Sequence, residues 1–465
     1  MEHLYYINTW SSEKHNYFLT SYRLDQTLLP CFIESSLRGI QISSENLQQA
    51  LKNMVPIVDR HLKATGLTED MCKSSQQFSA FIRNTNHPIS KLIDLWPRTT
   101  KSTANDPILA RSKKTLSAWY TKYTANPLFQ EKAILEWFSS FFDLSTAMGM
   151  VKFLKLIKKH SHEGKIYPLW NLMGAATGRI TASEPALHST PRDPLARNII
   201  IPSNPKNDFV IADYKTIEVV IQAIKAKEPT MLKVFQNKQD LHTFLAAKAR
   251  NTIYEDLMGL KKTDPSAYKE LRNAMKGMNF GLIYGMGVPS LWENLLLQGQ
   301  AISFEDTKHL HSTWKKTFPL VHEYQQRCQN YFDNSTAPLY TLGGSHYITS
   351  MRGRLRRPDF KQDGKRYLKF TQLINFPIQA GCTDFLKGSL RILHYLKKNG
   401  LLAADLVLCA HDEIILECDP SQTNQVAEIL STVMVSVAQK IIEPYFADAP
   451  INVDIGIGKS WADKP

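Results

Sequence analysis

Three features that would point to particular classes of protein are missing from this sequence. Its six cysteines are scattered and form no Cys-x-x-Cys pair, which excludes a zinc site of that type and fits a reducing cytoplasm. The N-terminus has no basic segment followed by an apolar one, so a secretory signal peptide is not expected. No long apolar run or amphipathic anchor is present either, and we therefore expect no membrane partner.

What the sequence does have is a surplus of positive charge. Lysine and arginine number 56 against 43 aspartate and glutamate residues, which gives a formal net charge of +13. This charge favours a polyanionic partner, and the 10% of aromatic residues argues against a disordered basic tail. With 465 residues, the chain can bury a large core divided among two or three domains.

The central motif of the chain is an apolar run that ends on a carboxylate. Residues 210–212 predict a short buried strand, and residues 217–226 predict the helix that follows it. Asp213 then lies where the strand stops, and Glu218 follows five residues later. Taken alone, an Asp in this position is more often one that satisfies free backbone N–H groups at a helix start.

A second acidic motif lies two hundred residues downstream. Two apolar runs flank His411, Asp412 and Glu413, and they predict a β-hairpin that places Asp412 and Glu413 at the end of a sheet. If Asp412 lay beside Asp213, the two carboxylates would repel each other unless a divalent cation neutralised them. This is the ligand set of a two-metal phosphoryl-transfer centre, in which the ions lie roughly 4 Å apart.

Between these motifs lies a segment with two cations followed by two aromatic rings. Arg272, Lys276, Phe280 and Tyr284 recur at intervals of four, so a helix would align them along one stripe. The cations suit the phosphates of a nucleoside triphosphate, and the rings suit its sugar and base. A solvated basic helix edge and an aromatic core stripe explain the same residues without a ligand.

Together, these three segments resemble motifs A, B and C of the family A DNA polymerases, the group of bacterial DNA polymerase I. Two further segments add to the resemblance, residues 176–180 with Glu184 and Pro185 behind them, and residues 375–381. The resemblance implies an α+β right-hand fold with a helical thumb, a palm built on an antiparallel sheet, and helical fingers. It divides the chain into an N-terminal extension (1–35), the thumb (36–165), the first part of the palm (166–225), the fingers (226–335) and the second part of the palm (336–465).

The resemblance also assigns the catalytic residues. It implies that Asp213, Tyr214 and Asp412 bind two Mg²⁺ ions, for which Mn²⁺ can substitute, and that Glu413 assists them. It implies further that Lys276 binds phosphate and donates a proton to the pyrophosphate leaving group.

The remaining assigned residues would bind the incoming dNTP. By resemblance, Glu218 lies under its sugar and leaves no room for a 2′-hydroxyl. Phe280 and Tyr284 pack near the base, and Phe280 stands where some relatives carry a Tyr, so dideoxynucleotides should be rejected. Arg272 and His242 would lie near the triphosphate, although His242 also fits a surface histidine with an ordinary structural role.

Primed template DNA is the expected polyanionic partner. The resemblance places four polar residues near the primer terminus: Arg179, Asn375, Gln379 and His411. A basic segment at residues 352–369 holds eight Lys or Arg against two Asp, and we assign Arg354 and Arg356 in it to DNA phosphates. A solvated loop is the alternative for this segment.

Two functional alternatives and one absence complete the prediction. A single-subunit RNA polymerase-like enzyme shares part of the pattern, and a catalytically silent nucleic-acid-binding relative would keep the fold without the activity. No Asp-x-Glu pair occurs before residue 165, so we expect no 3′–5′ exonuclease in this chain. A separate exonuclease or processivity factor would then be a partner, in the cytoplasm of a bacterial or phage-infected cell.

Overall fold

A computed structural model describes residues 17–99, 108–123, 126–297, 300, 302–334, 340–342, 345–356, 359–360 and 366–464. The architecture is α+β, as predicted. The helices are α1 (Tyr17–Arg38), α2 (Ser44–Thr65), α3 (Glu69–Lys73), α4 (Ser75–Asn84), α5 (Lys113–Lys122), α6 (Lys132–His160), α7 (Pro194–Arg197), α8 (Ile217–Ala226), α9 (Pro229–Gln236), α10 (Leu241–Arg250), α11 (Tyr254–Thr263), α12 (Pro265–Ile283), α13 (Val288–Leu297), α14 (Phe304–Thr317), α15 (Pro319–Asn334), α16 (Phe370–Lys398) and α17 (Thr423–Ile442).

The strands form small antiparallel sheets, of which one has four strands in the order β12, β13, β6, β14. The strands are β1 (Ile40–Gln41), β2 (Ser161–His162), β3 (Lys165–Ile166), β4 (Leu169–Asn171), β5 (Thr181–Ser183), β6 (Asp208–Tyr214), β7 (Tyr340–Leu342), β8 (Ser345–Thr349), β9 (Leu355–Arg356), β10 (Asp359–Phe360), β11 (Arg366–Tyr367), β12 (Asp405–Ala410), β13 (Glu413–Cys418) and β14 (Val453–Gly458).

Strand β6 is an inner strand of the four-stranded sheet, paired with β13 on one side and β14 on the other. Its successive apolar residues belong alternately to two hydrophobic clusters, because neighbouring side chains of a strand point to opposite faces. The chain leaves β6 through Thr216, whose φ of 49° lies in the left-handed region, and α8 begins at the next residue. The predicted strand and the helix after it are therefore confirmed.

The predicted thumb region contains two long helices, α2 and α6, that pack against each other. Ser43 caps α2 by accepting a hydrogen bond from the backbone N–H of Asn46. Beside them lies a cluster of buried rings, in which Trp137 and Phe141 stack with their centroids 5.2 Å apart. These rings give the region a hydrophobic core of its own.

Helix α12 carries the predicted stripe of cations and rings. Asp264 caps its start by accepting from the N–H of Ala267, and Pro265 occupies the first turn. Inside the helix, Asn279 is fully buried and its Oδ1 accepts a hydrogen bond of 2.8 Å from the indole of Trp314 on α14. The predicted helix is thus confirmed, and this bond fixes its rotation against α14.

Helix α17 packs against α16, β6 and β14. Among the described residues, one helix, at Pro420–Ile442, is long and apolar enough to cross a membrane by length and composition, with a mean hydropathy of 1.3. Its residues Val426, Leu430 and Met434 are at most 1% exposed in the core. Its apolar character is therefore explained by burial on the sheet.

The assignment of Arg354 to DNA phosphates is wrong. Arg354 is 6% exposed, and its guanidinium lies 3.0 Å from Asp25 Oδ2 and 2.9 Å from Asp384 Oδ1. The ammonium of Lys387, itself fully buried, lies 2.5 Å from Asp25 Oδ1. Buried charges need opposite charges beside them, so this cluster joins α1 to α16 instead of facing DNA.

Two parts of the predictions lie outside the described residues. These are residues 1–16 of the predicted N-terminal extension, and residues 357–358 and 361–365 of the basic segment. The predicted boundary at residue 35 falls inside α1, which runs on to Arg38.

Candidate active site

The two predicted acidic motifs meet at one end of the four-stranded sheet. Strands β12 and β13 form the predicted hairpin, and Glu413 pairs in register with Asp213 of β6. The turn between the strands consists of His411, with a φ of 59°, and Asp412. Asp412 therefore lies next to Asp213, and the backbone carbonyl of Asp412 accepts a hydrogen bond of 3.4 Å from the N–H of Tyr214.

The electrostatics of this pair favour a cation. Burial, and next the charge of Asp213, raise the pKa of Asp412 to about 7, while Lys464 opposes the shift. The Oδ1 atom of Asp213 is buried and has no hydrogen-bond partner in the described part of the chain. A buried carboxylate oxygen without a donor is costly, and a divalent ion would satisfy it. The two carboxylates therefore fit a divalent metal.

The structure narrows the role predicted for Tyr214. Its side chain is 2% exposed, and the hydroxyl donates to the Met434 carbonyl at 2.8 Å and contacts Ser389. The phenol therefore belongs to the core and is not available to bind a metal ion.

Glu413 was predicted at the exposed end of the β-hairpin, but its side chain is buried in the protein. It is 2% exposed and is the first residue of β13. Its carboxylate accepts from the indole N–H of Trp461 and lies 2.6 Å from the ammonium of Lys464. The guanidinium of Arg197 is 3.8 Å away. Glu413 is thus already neutralised by side chains of the protein.

A fourth carboxylate, Glu218, stands at the start of α8 and is held from two sides. Its Oε1 lies 2.6 Å from the guanidinium of Arg179, and its Oε2 accepts from the hydroxyl of Tyr284. Burial raises the pKa of Glu218, while Arg179 opposes the shift. Three residues that the sequence placed in separate motifs thus form one hydrogen-bonded group.

The cations of α12 face this region. Arg272 pairs with Asp240 at 2.6 Å, and Asp240 also caps α10 by accepting from Thr243. Lys276 is exposed as a residue, but its ammonium is partly shielded from water; this desolvation, and next the charge of Arg272, lower its pKa, while Asp240 and Asp213 oppose the shift. The charges of Arg272, Asp240 and Asp213 thus all act on the Lys276 ammonium.

His242 is not a surface histidine. It is 1% exposed, it accepts at Nδ1 from the side-chain amide of Asn279 at 3.1 Å, and its ring centroid lies 5.9 Å from that of Phe280. Burial lowers the pKa of His242 to about 4, so the ring is neutral at pH 7. In the described structure, the ring of His242 packs against that of Phe280 in the protein interior.

The other residues assigned to DNA differ in exposure. His411 is exposed as a residue at the hairpin turn, but its ring is partly shielded from water; this desolvation, and next the charge of Arg179, lower its pKa. Asn375 and Gln379 are half-buried one turn apart on α16, and Asn375 Oδ1 is buried without a hydrogen-bond partner in the described part of the chain. Arg356 is half-buried in β9.

A model of DNA polymerase family A matches residues 43–463 of the chain. The chain belongs to this family. Its relatives include DNA polymerase I of Aquifex aeolicus, which is 29% identical over 311 residues, 66% of this chain and 48% of that protein. The thermostable DNA polymerase I of Thermus aquaticus is 25% identical over 306 residues, 65% of this chain and 33% of the relative. The matched region thus covers less than half of the length of each of these two curated relatives.

A solved structure supports the fold of this family A chain. The polymerase domain of Pol1 from M. smegmatis, in complex with DNA primer-template and dNTP, superposes with a TM-score of 0.73 and 21% identity, over 96% of this chain and 73% of that one. The right-hand polymerase fold predicted from the motifs is thereby confirmed.

Sequence reasoning missed several residues of this site in the family A chain. Lys464, Trp461 and Arg197 surround Glu413, and Arg192 lies near both Lys276 and His411, whose pKa values it lowers. None of the four belongs to a motif that the sequence displays. Only the fold brings them to the acidic end of the sheet.

Proposed function

We propose that this chain is a template-directed DNA polymerase that adds dNTPs to the 3′-hydroxyl of a primer. The observation that carries the proposal is the meeting of Asp213 with Asp412 at one end of the four-stranded sheet. Family membership supports the same reading. The complex of the Pol1 domain with primer-template and dNTP suggests that this chain takes the same partners.

The metal requirement follows from the donors present. In the described residues, no group of three or more His, Cys, Asp or Glu side chains could hold a metal by itself. We therefore propose that Asp213 and Asp412, with the Tyr214 carbonyl, share two Mg²⁺ ions with oxygens of the substrates. When bound, these ions would lower the pKa of the attacking hydroxyl and stabilise the leaving oxygen.

The residues of the chain would then divide the remaining work. Lys276 and Arg272 bind the triphosphate, and Lys276, whose pKa is lowered, is placed to give a proton to the departing pyrophosphate. Phe280 packs against the base from α12. His411, Asn375, Gln379 and Arg179 would contact the primer end, where minor-groove acceptors are nearly independent of sequence.

The group around Glu218 favours DNA over RNA synthesis. Its carboxylate is fixed by Arg179 and Tyr284, so it cannot turn away from a 2′-hydroxyl without breaking two hydrogen bonds. This argues against the RNA polymerase-like alternative. Asp213 and Asp412, both present at the same end of the sheet, argue against a catalytically silent relative.

Primer extension tests the proposal. The purified chain should extend a primed single strand with the four dNTPs and Mg²⁺, should stop on EDTA addition, and should not use rNTPs. The Asp412→Ala variant should bind the primed DNA but leave the primer unextended. Equal extension by this variant and the unsubstituted protein would refute the assigned site, and extension with rNTPs alone would favour the RNA polymerase alternative.

Proofreading is expected to be absent from these 465 residues. Incubation of the same protein with a mismatched primer and no dNTP should leave the primer intact. Steady removal of the mismatched end that an upstream acidic substitution abolishes would contradict this. The assay contains no separate exonuclease or processivity factor, because neither is needed to detect removal of the mismatched end. The six cysteines are free thiols, which suits work in a reducing cytoplasm.

A further inference from the structure

A lysine near the end of the chain occupies the position between two carboxylates of the active site. The ammonium of Lys464 lies 2.7 Å from Asp213 Oδ2 and 2.6 Å from Glu413 Oε2. Both distances are those of charge-assisted hydrogen bonds. One cation of the protein therefore bridges a proposed metal ligand and the buried acid next to it.

The segment that carries this lysine is anchored tightly. Trp461 is 1% exposed, its backbone N–H donates to the Ile200 carbonyl at 3.1 Å, and Arg197 lies over its ring at 4.7 Å. Gly458 permits this path, because a Cβ there would lie 2.3 Å from the carboxylate of Asp463. These contacts fix the position of the segment, and the segment in turn fixes the position of the Lys464 ammonium.

The two bridged acids differ in what else holds them. Glu413 has a second donor in Trp461 and a nearby guanidinium in Arg197. Asp213 has Lys464 on Oδ2, whereas its Oδ1 is buried without a hydrogen-bond partner in the described part of the chain. Loss of the lysine would leave Glu413 partly neutralised and Asp213 with an unopposed charge beside Asp412.

We propose that Lys464 is a resident counter-ion of the carboxylate site, which pairs with Asp213 in the protein without divalent metal and leaves Asp213 when metal binds. The ammonium and the metal then compete for the same oxygens. Metal binds weakly to the protein alone and more tightly once the triphosphate adds negative charge. Lys464 is a positioning residue: it controls the stage at which divalent metal binds to the two carboxylates. The inference rests on the proposed function only in taking Asp213 and Asp412 as the metal ligands.

The test measures Mn²⁺ binding to the protein without DNA or nucleotide, by the loss of the free-ion electron paramagnetic resonance signal. Lys464→Met should tighten Mn²⁺ binding about tenfold, because a unit charge a few ångströms from a divalent ion contributes at least that much. Lys464→Arg should restore weak binding, which a merely structural role of the side chain does not predict.

A matched control comes from the same terminal segment. Lys459 pairs with Asp208 Oδ1 at 2.7 Å, at the opposite end of β6, so Lys459→Met removes one lysine and one ion pair away from the site. It should leave Mn²⁺ binding unchanged. Lys464→Gln serves as a second uncharged variant, and thermal melting checks that each variant is folded.

Unchanged or weaker Mn²⁺ binding in folded Lys464→Met and Lys464→Gln would overturn the inference. Equal tightening in Lys459→Met would overturn it as well, since the effect would then be one of net charge. Because binding is measured without DNA, the result is independent of primer extension by the unsubstituted protein. Failure of extension would count against the proposed function alone.

Discussion

Replacement of Glu218 tests how this protein would distinguish deoxyribonucleotides from ribonucleotides. The carboxylate is held by Arg179 at 2.6 Å and by Tyr284, so it acts as a fixed wall under the sugar. An added atom that must be forced into a packed site costs about 1–3 kcal/mol. Because about 1.4 kcal/mol corresponds to tenfold in rate, Glu218→Ala should raise ribonucleotide incorporation relative to dNTP by about 5- to 150-fold.

The assay is single-nucleotide primer extension, in which kcat/KM is measured for a dNTP and the matching rNTP. Glu218→Gln is the matched control, since it keeps the volume and removes the charge. If the wall is steric, Gln should retain most of the discrimination while Ala loses it. Unchanged selectivity in Glu218→Ala would remove this residue from the role, and equal losses in both variants would show that charge, not volume, excludes the hydroxyl.

Three further predictions follow from buried contacts. Phe280→Tyr should increase dideoxynucleotide use, because the added hydroxyl can replace the missing 3′-OH, and equal chain termination by both proteins would contradict that position for the ring. Asp25→Ala should lower the free energy of unfolding by about 3–5 kcal/mol, because it leaves Arg354 and Lys387 buried with fewer partners, and urea denaturation measures it. The pKa of His242 is about 6.5 in the unfolded chain and about 4 in the folded protein. Its contribution to the free energy of unfolding should therefore be fully present above pH 6.5 and should fall by up to about 3 kcal/mol as the pH drops to 4. His242→Gln should flatten that pH dependence in thermal melts, and an unchanged slope would contradict a buried neutral ring.

The local elements could be predicted because each depends on neighbours in the sequence. The strand before Asp213, the hairpin at His411 and the helix from Pro265 are set by apolar periodicity, capping and turn residues, and the structure has all three. The approach of Asp213 to Asp412 needed the order of five motifs, since no local pattern states which distant strands pair. Register then followed from β13 lying beside β6.

The errors come from residues whose surroundings are distant in the sequence. Arg354 lies in a segment rich in arginine, which is typical of an exposed basic loop. Its burial is decided by Asp25, 329 residues earlier, and by Asp384 on α16. Lys464 likewise gives no signal in its own segment, because its partners are on β6 and β13.

The position of β6 in the sheet has a consequence for the synthesis of the polypeptide. Both strands that flank β6 are encoded far downstream, the nearer beginning at Glu413 and the other at Val453. At about 5–20 residues per second, a ribosome needs about 10–40 s after finishing β6 to deliver the first of them. During that interval β6 has neither neighbour, so the nascent chain should depend on chaperones that cover exposed strands until β13 and β14 have been synthesised.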